Sequence, residues 1–366
     1  MTFRRRQCSF LSAPLSVFAL CFCYACSPQT NVVSGAASLS EYNGRVGLDS
    51  AGVAAIYWPG SSVKTAFRGT ALKAVMRDQR GHNSFNVIID DDSVYSIRLD
   101  TLERSYTLAS GLTDTVHTVE LFRLTDWNDG IAWFYGFQYD PGAEVLPVRP
   151  KKRRIEFYGN SITVGAGMDE AGASPPGGNS TDNYLSYGAV TARHYDAAYT
   201  CIARSGIGLM VSWFSMTMPE MYDRLNPFDT ASVWDFSKAT PDIVVVNLMQ
   251  NDYALSFMPD YDQFKKRFGS KPPAPEFIIS SYQDFISRLR GHYPNASIVC
   301  VLGNMDATRA GSPWPGYIRQ AVASLHDPKV YSHFFPFKNT PGHPTIAEHQ
   351  EMAESLIRFM DANVKW

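Results

Sequence analysis

The sequence predicts two successive domains, an all-β sandwich followed by an α/β domain built on a parallel sheet. Residues 40–148 contain short segments rich in β-branched and aromatic residues, which is typical of β-strands. From Arg153 onward, apolar strand-like segments alternate with helical ones. The length of 366 residues also favours two domains over one.

The first domain, residues 40–148, shows no helical period of useful length. Several of its segments alternate apolar and polar residues, and Gly, Asp or Asn separate them. The candidate strands are AAIYWPG, SFNVIIDD, VYSIRLD, SYTLASGL, HTVELFRLT and IAWFYGFQYD. This number of short strands predicts a jelly-roll-like sandwich.

The start of the second domain, residues 153–366, overlaps a segment that has three prolines and ends in four basic residues, PGAEVLPVRPKKRR. We interpret that segment as a solvated linker rather than an anion-binding site. Near-continuous apolar strands predict a parallel sheet that is covered on both faces. The candidate strands are RIEFYG, YTCIARSG, DIVVVNL, SIVCVLG and KVYSHFF, and the longest candidate helices are FIISSYQDFISRLRGHY and IAEHQEMAESLIRFMDA.

Residues 1–26 have the pattern of an export signal. The basic stretch FRRRQ precedes the apolar run FLSAPLSVFALCFCYAC, which is short for a membrane span. The run ends at Cys26 in a loose lipobox, so Cys26 is a candidate for lipidation. Cleavage among the small residues 34–38 is the alternative, and a membrane anchor is less favoured. The sequence thus predicts a periplasmic protein, an outer-membrane lipoprotein or a secreted protein, attached to a membrane only through a lipidated N-terminus.

The overall composition is that of a globular protein, with 45% hydrophobic residues, 19% charged residues and a formal net charge of −2. The absence of a basic excess argues against a nucleic-acid partner. Four of the six cysteines lie in the first 26 residues. The other two, Cys201 and Cys300, lie in strand-like runs, where buried free thiols are favoured over a disulfide.

Four residues of interest follow strands of the predicted parallel sheet. Ser161, Gly206 and Asn251 follow the first three strands, and His343 lies between the last strand and the last helix. Because ligands of such sheets bind outside the carboxyl ends of the strands, we expect these residues to lie at one edge. A serine there could cap a helix and the asparagine could form a turn, but four such residues together favour a site.

The chemistry of these four residue types is that of nucleophilic catalysis. A serine hydroxyl needs a neighbouring base, and histidine is the usual one. The backbone N–H groups of Ser161 and Gly206 and the side-chain amide of Asn251 could stabilise a developing oxyanion. Glycine at position 206 would also let the backbone approach a substrate closely.

The blocks GNSIT, SGIG, QND and GHP, in this order, resemble the four sequence blocks of the SGNH hydrolases, whose catalytic domain is a flavodoxin-like three-layer α/β fold. The preceding β-sandwich with YWPGS, FRGTAL and HTVELFRLTD, followed by NYLSYGAVTARHY and WDFSKATPDIVVVNL, makes the whole arrangement similar to carbohydrate esterase family two. This resemblance to the two-domain acetylxylan esterases covers about residues 42–365.

The resemblance implies a carboxylic ester hydrolase that removes O-acetyl groups from plant polysaccharides such as acetylxylan or acetylglucomannan. It implies Ser161 as nucleophile, His343 as base, and Gly206 with Asn251 in the oxyanion hole. It implies no metal and no cofactor, and an acetylated polysaccharide or oligosaccharide as the partner.

Three departures from the family pattern stand out. Thr340 and Pro341 occupy the positions of the usual aspartate, which implies a Ser-His dyad in which a backbone carbonyl holds the imidazole. Gly342 replaces an aromatic residue of the substrate cleft. Met249 and Gln250 replace a Gly-Thr pair beside the oxyanion hole.

Two other functions remain open at this point. The missing acid would also fit a glycan-binding surface protein with a decayed esterase site, and the same scaffold could carry a lipase or thioesterase. Tyr184, Trp213 and Trp314 are candidate sugar platforms, with packing in the core as the alternative. Without a carboxylate partner, we expect the pKa of His343 to stay near its reference of about 6.5.

Overall fold

The computed structural model describes Thr2, residues 39–168 and residues 181–366. The predicted leader, including Cys26, lies outside the described residues. Among the residues that are described, no helix has the length and apolar character needed to cross a membrane.

The first domain is a sandwich of two antiparallel sheets, which confirms the predicted all-β sandwich. The more specific assignment as a jelly-roll stays a prediction. One sheet has the order β1-β4-β9-β6-β7, with β11 paired to β4, and the other has the order β2-β3-β10-β5-β8. Phe67, Phe85 and Phe134 fill the space between the sheets. The strands are β1 (Glu41–Asn43), β2 (Val46–Leu48), β3 (Ala54–Ile56), β4 (Ser62–Gly69), β5 (Leu72–Asp78), β6 (Ser84–Ile89), β7 (Ser93–Arg98), β8 (Arg104–Ala109), β9 (Thr115–Arg123), β10 (Ala132–Tyr139) and β11 (Glu144–Leu146).

The second domain is built on a parallel sheet, which confirms the prediction from its apolar strands. The sheet order is β13-β12-β14-β15-β16, which is the 2-1-3-4-5 order of flavodoxin-like sheets. All residues of β14 and β15 are buried, as expected for strands covered on both faces. The strands are β12 (Arg153–Gly159), β13 (Ala197–Ala203), β14 (Ile243–Asn247), β15 (Ser297–Leu302) and β16 (Val330–Phe334).

Helices cover both faces of this sheet. Helices α2 and α7 pack against one face, and α5 and α6 pack against the other. Cys201 and Cys300 lie in the two different cores that result, and both are buried free thiols, as predicted. The helices are α1 (Ser161–Val164), α2 (Tyr187–His194), α3 (Gln250–Ser256), α4 (Asp262–Phe268), α5 (Pro275–His292), α6 (Trp314–Ser324) and α7 (Ile346–Asn363).

The segment predicted to be a linker is partly ordered as sheet. Strand β11 lies within it and pairs with β4, so this part belongs to the sandwich. Further along the segment, Lys151 forms an ion pair of 2.8 Å with Asp196, which lies between α2 and β13. The connection between the domains is therefore held against both of them.

A buried ion pair joins the two domains. Arg45 of the first domain places its guanidinium Nη2 2.9 Å from the Glu156 carboxylate on β12, and both side chains are almost fully buried. The same guanidinium donates to the Tyr158 hydroxyl and to the Tyr222 carbonyl. The Tyr293 hydroxyl donates to Glu156 as well. Since the charges and their hydrogen-bonding capacity are largely satisfied, the pair can exist in a region without water.

We predict that Arg45→Met lowers the free energy of unfolding by about 3–5 kcal/mol, because it leaves the Glu156 carboxylate buried without its partner. Urea unfolding of the full chain measures the change. Arg68→Met is the matched control, since its ion pair with Glu144 is exposed and 3.9 Å long, and we expect little change there. Equal losses in the two variants would contradict the role given to the buried pair.

Candidate active site

Ser161 lies at the carboxyl end of β12, as the first residue of α1. The residue that caps this helix is Asn160, whose side-chain Oδ1 accepts the N–H of Ile162 at 3.1 Å. The Ser161 hydroxyl is therefore not used for capping. Its Oγ lies 2.8 Å from Nε2 of His343, which is the distance of a hydrogen bond between a nucleophile and its base.

His343 lies in the loop between β16 and α7, and its imidazole packs against the backbone of Gly167. A Cβ atom at position 167 would lie 2.6 Å from the His343 Cβ, and the φ of Gly167 is +81°. Burial lowers the pKa of His343, and the nearby Lys338 ammonium lowers it further. The expectation of a pKa near 6.5 is therefore corrected downward. The neutral imidazole that results can accept the proton of Ser161.

No carboxylate or carbonyl among the described residues accepts a hydrogen bond from Nδ1 of His343. The carboxylates that follow neighbouring strands are used elsewhere. Asp252 accepts the N–H groups of three residues of the loop after β13, and Asp306 pairs with Arg309 at 2.7 Å. The described part of the chain thus contains Ser161 and His343 as a pair, without the implied carbonyl partner.

The candidate oxyanion donors lie next to this pair. The N–H of Ser161 belongs to the first turn of α1, where backbone donors lack partners inside the helix. Gly206 has a φ of +81°, a conformation that favours glycine. Among the described residues, neither of these two N–H groups has an acceptor. The chain leading to Gly206 contacts the end of β12 through the N–H of Arg204, which donates to the Gly159 carbonyl at 3.3 Å.

The side-chain amide of Asn251 is oriented by two hydrogen bonds. Its Nδ2 donates to the Ile207 carbonyl at 2.7 Å, and its Oδ1 accepts the indole N–H of Trp213 at 2.9 Å. Swapping the oxygen and nitrogen would place acceptor against acceptor and donor against donor. One N–H of the amide therefore remains for a ligand, next to the loop that contains Gly206.

Two buried carboxylates fix the loop from Ser205 to Trp213. Asp252 accepts the N–H groups of Leu209, Met210 and Val211 at 2.6–3.1 Å. Asp126, which belongs to the first domain, accepts the N–H of Ser205 at 2.8 Å. Burial raises the pKa of both carboxyl groups, while these backbone donors oppose that rise. Sequence reasoning did not find Asp126, because its partner lies 79 positions away in the other domain.

The replacement of Gly-Thr by Met249 and Gln250 has a structural explanation. Met249 adopts a φ of +81°, a conformation that glycine adopts easily, which explains the glycine in the family pattern. For any other residue this conformation has a free-energy cost of roughly 1–2 kcal/mol. Its side chain is fully buried in a core cluster. Gln250 donates to the Gly303 carbonyl at 2.7 Å and accepts from the Ala307 N–H at 3.1 Å. The pair therefore ties α3 to the segment after β15.

The three candidate sugar platforms have different environments. Trp213 is 39% exposed, and its indole also holds Asn251. Trp314 is not available as a platform, because it is 3% exposed and packs in the core against Tyr253. Tyr184 lines a cleft between the two domains, where the Arg193 guanidinium covers its ring at 3.8 Å. Only Trp213 is both partly open and in contact with the candidate site.

A family model described as Carbohydrate esterase 2 N-terminal matches residues 42–148. Over the whole chain, the cellulase/esterase CelE of Acetivibrio thermocellus is 31% identical across 341 residues, which is 89% of this chain and 39% of CelE. The chain therefore spans about two fifths of the length of that relative.

Two further similarities cover most of both proteins compared. An acetylxylan esterase / glucomannan deacetylase of Cellvibrio japonicus is 27% identical over 322 residues, or 84% of each chain. The structure of a family two carbohydrate esterase from Clostridium thermocellum, solved in complex with cellohexaose, gives a TM-score of 0.77 at 29% identity. That match covers 88% of this chain and 98% of the other.

We predict that Asn251→Ala lowers kcat for ester hydrolysis by roughly 10²–10³ with little change in KM, because an oxyanion donor acts mainly in the transition state. Steady-state kinetics on p-nitrophenyl acetate measure both constants. Asn86→Ala is a suitable control, since Asn86 is a buried asparagine of the sandwich that accepts from Ser96. If Asn251→Ala kept its kcat, Asn251 would be a turn residue only.

Proposed function

We propose that this chain acts as a family 2 carbohydrate esterase that removes O-acetyl groups from plant polysaccharides, with Ser161 as nucleophile and His343 as base. The observation that carries this proposal is the 2.8 Å contact between Ser161 Oγ and His343 Nε2 at the carboxyl edge of the parallel sheet. The names of the relatives support a sugar ester as substrate.

In the proposed mechanism, Ser161 Oγ attacks the acetyl carbonyl carbon and His343 Nε2 takes the hydroxyl proton. The carbonyl oxygen becomes an oxyanion, which the N–H groups of Ser161 and Gly206 and the Asn251 amide stabilise. The imidazolium then donates its proton to the departing sugar oxygen, leaving an acetyl-serine. Water hydrolyses this ester in the same way, with His343 again as base, and acetate leaves.

The described residues support a mechanism with a Ser-His dyad, in which no acidic side chain assists His343. Position 341 is proline, which has no side-chain acid, and Thr340 bonds to Glu348. A neutral His343 with a lowered pKa still serves as a base at neutral pH. We propose that this pair acts without a carboxylate, and that Trp213 supplies an apolar face for a sugar ring. Gly342, in place of an aromatic residue, would leave its part of the cleft open to a bulky polysaccharide.

A lipase or thioesterase activity is the second candidate, and one observation favours it. Phe257 and Met258 follow α3, the helix whose second residue is Asn251, and they are 67% and 39% exposed. Exposed apolar side chains at the far end of this helix could receive a longer acyl chain. A glycan-binding protein without activity is less well supported, because the contact between Ser161 and His343 is intact.

We predict that Ser161→Ala reduces hydrolysis of p-nitrophenyl acetate by more than ~10³, because nucleophile and base act as a unit. Wild type should prefer acetyl over butanoyl and octanoyl esters, and it should release acetate from acetylated xylan or glucomannan. A mutant that retains more than about a hundredth of wild-type turnover would exclude the serine mechanism. A preference for octanoyl esters would instead favour the lipase candidate.

We propose further that the protein is exported and that Cys26 is lipidated, with residues 27–40 as a polar tether. This proposal rests on the sequence of the leader. One acyl chain alone binds a membrane only weakly, so stable attachment would need the full lipoprotein modification. The enzyme would then reach polysaccharide from a membrane surface outside the cytoplasm.

We predict that Cys26→Ser, expressed in a bacterial host, moves the protein from the membrane fraction to the soluble periplasmic fraction or the medium. Cys23→Ser serves as the control, because it leaves the lipidation candidate in place. Immunoblots of the separated fractions measure the distribution. Wild-type protein that is already soluble in the periplasm or the medium would indicate cleavage near residues 34–38 and secretion.

A further inference from the structure

The loop that carries His343, residues 337–345, is organised around a buried ammonium group. The Lys338 side chain is 3% exposed. Its Nζ contacts the carbonyl oxygens of Thr340, Pro341 and His343 at 3.1–3.2 Å and the Thr340 hydroxyl at 2.7 Å. An ammonium group has three protons, so these acceptors share them. The backbone of the loop is therefore folded around one charge.

Glu348, in the first turn of α7, supplies the opposite charge. Its carboxylate lies 3.5 Å from Lys338 Nζ, and its side chain is 12% exposed. The same carboxylate accepts the N–H of Thr345 at 2.8 Å and the hydroxyl of Thr340. Because Thr345 caps α7, the position of the loop is coupled to the start of that helix.

A second contact ties this loop to the parallel sheet. The backbone N–H of Lys338 donates to the carbonyl of Asn304, which lies just after β15, at 2.8 Å. On its other side, the His343 side chain packs against Gly167. Contacts with the sheet, with α7 and with the segment after α1 thus fix the position of His343. They do so although neither Thr340 nor Pro341 provides a carboxylate.

We propose that Lys338 and Glu348 are positioning residues for His343, which hold its loop in the place that an aspartate would otherwise help to maintain. This inference rests on the proposed role of His343 as the base. An aspartate holds an imidazole through its side chain and stabilises the imidazolium. The ion pair instead holds the backbone of His343 through its carbonyl oxygen. It therefore fixes the position of the imidazole but gives the ring no negatively charged partner.

The charges near His343 give the proposal a specific electrostatic signature. Among the described residues, the charged and titratable groups that interact with the imidazole are Lys338 on its own loop and His349 on α7, and Glu348 lies beside Lys338. His349 is neutral, because burial lowers its pKa to about 3. Lys338 lowers the pKa of His343, in addition to the effect of burial. Glu348 offsets part of the Lys338 charge.

The test uses Lys338→Met and Glu348→Gln in the full chain. Lys338→Met removes a positive charge, so the pKa of His343 should rise and the acid limb of kcat/KM should move to higher pH. Glu348→Gln leaves the ammonium uncompensated, so the acid limb should move to lower pH. Both variants should lower kcat for p-nitrophenyl acetate by about 10- to 100-fold with little change in KM, because the base is displaced.

Lys64→Met is the matched control. Lys64 is also a lysine with a mostly buried side chain, and its ion pair with Asp91 lies in the sandwich. This variant should lose stability comparably, as urea unfolding would show, without any shift of the acid limb. If the role of Lys338 were only structural, Lys338→Met would behave like Lys64→Met, with a loss of stability and no shift of the acid limb. Shifts of equal sign in Lys338→Met and Glu348→Gln, or no shift in either, would overturn the proposal.

NMR titration of the His343 imidazole provides the readout that does not require activity. If wild type failed to hydrolyse esters, the proposed function would fail, while the opposite pKa shifts in the two variants would still test the ion pair.

Asp169 and Glu170 follow Gly167 in the sequence and lie outside the described residues. If Asp169→Asn or Glu170→Gln removed activity as completely as His343→Ala, a carboxylate would orient the imidazole and the proposal would be wrong.

Discussion

The buried ion pair between Arg45 and Glu156 is the contact on which the arrangement of the two domains depends. Glu156 lies on β12, the strand that ends just before Ser161, and Arg45 comes from the start of the sandwich. Two charges without water are tolerated only when each finds its partner and its hydrogen bonds, so alternative placements of the sandwich leave both charges unsatisfied. The pair therefore selects one relative position of the domains more than it adds stability.

Carboxylates surround the candidate site. The described ones accept hydrogen bonds from backbone N–H groups and are not placed to transfer a proton. Asp126 and Asp252 accept N–H groups of the loop that contains Gly206, and Glu348 accepts the N–H that begins α7. A carboxylate can accept several N–H groups at once, so a single buried side chain can fix a whole loop. The precision of the site therefore comes from loops with few permitted conformations, in line with the need for preorganised donors.

The sequence was sufficient for the parallel sheet and for the residues that follow its strands, because both leave local signals. Ser161 and His343 were placed by strand order alone. Arg45 and Asp126 could not be found in this way, since each acts on a partner far away in the chain and neither belongs to a periodic pattern. For Trp314 the sequence left platform and core open, because an aromatic residue at the start of a helix gives no sign of whether it faces solvent or core.

The hydrogen bond from Ser205 to Asp126 has a consequence for how proteins with this pair of domains can diversify. The residue next to Gly206 is held by a side chain from the sandwich, and Arg204 lies between Trp127 of the sandwich and Phe214. The sandwich thus forms part of the wall behind the candidate site. Recombination that exchanged one domain for a foreign counterpart would have to carry its contact residues along, so the two domains should be inherited as a single unit.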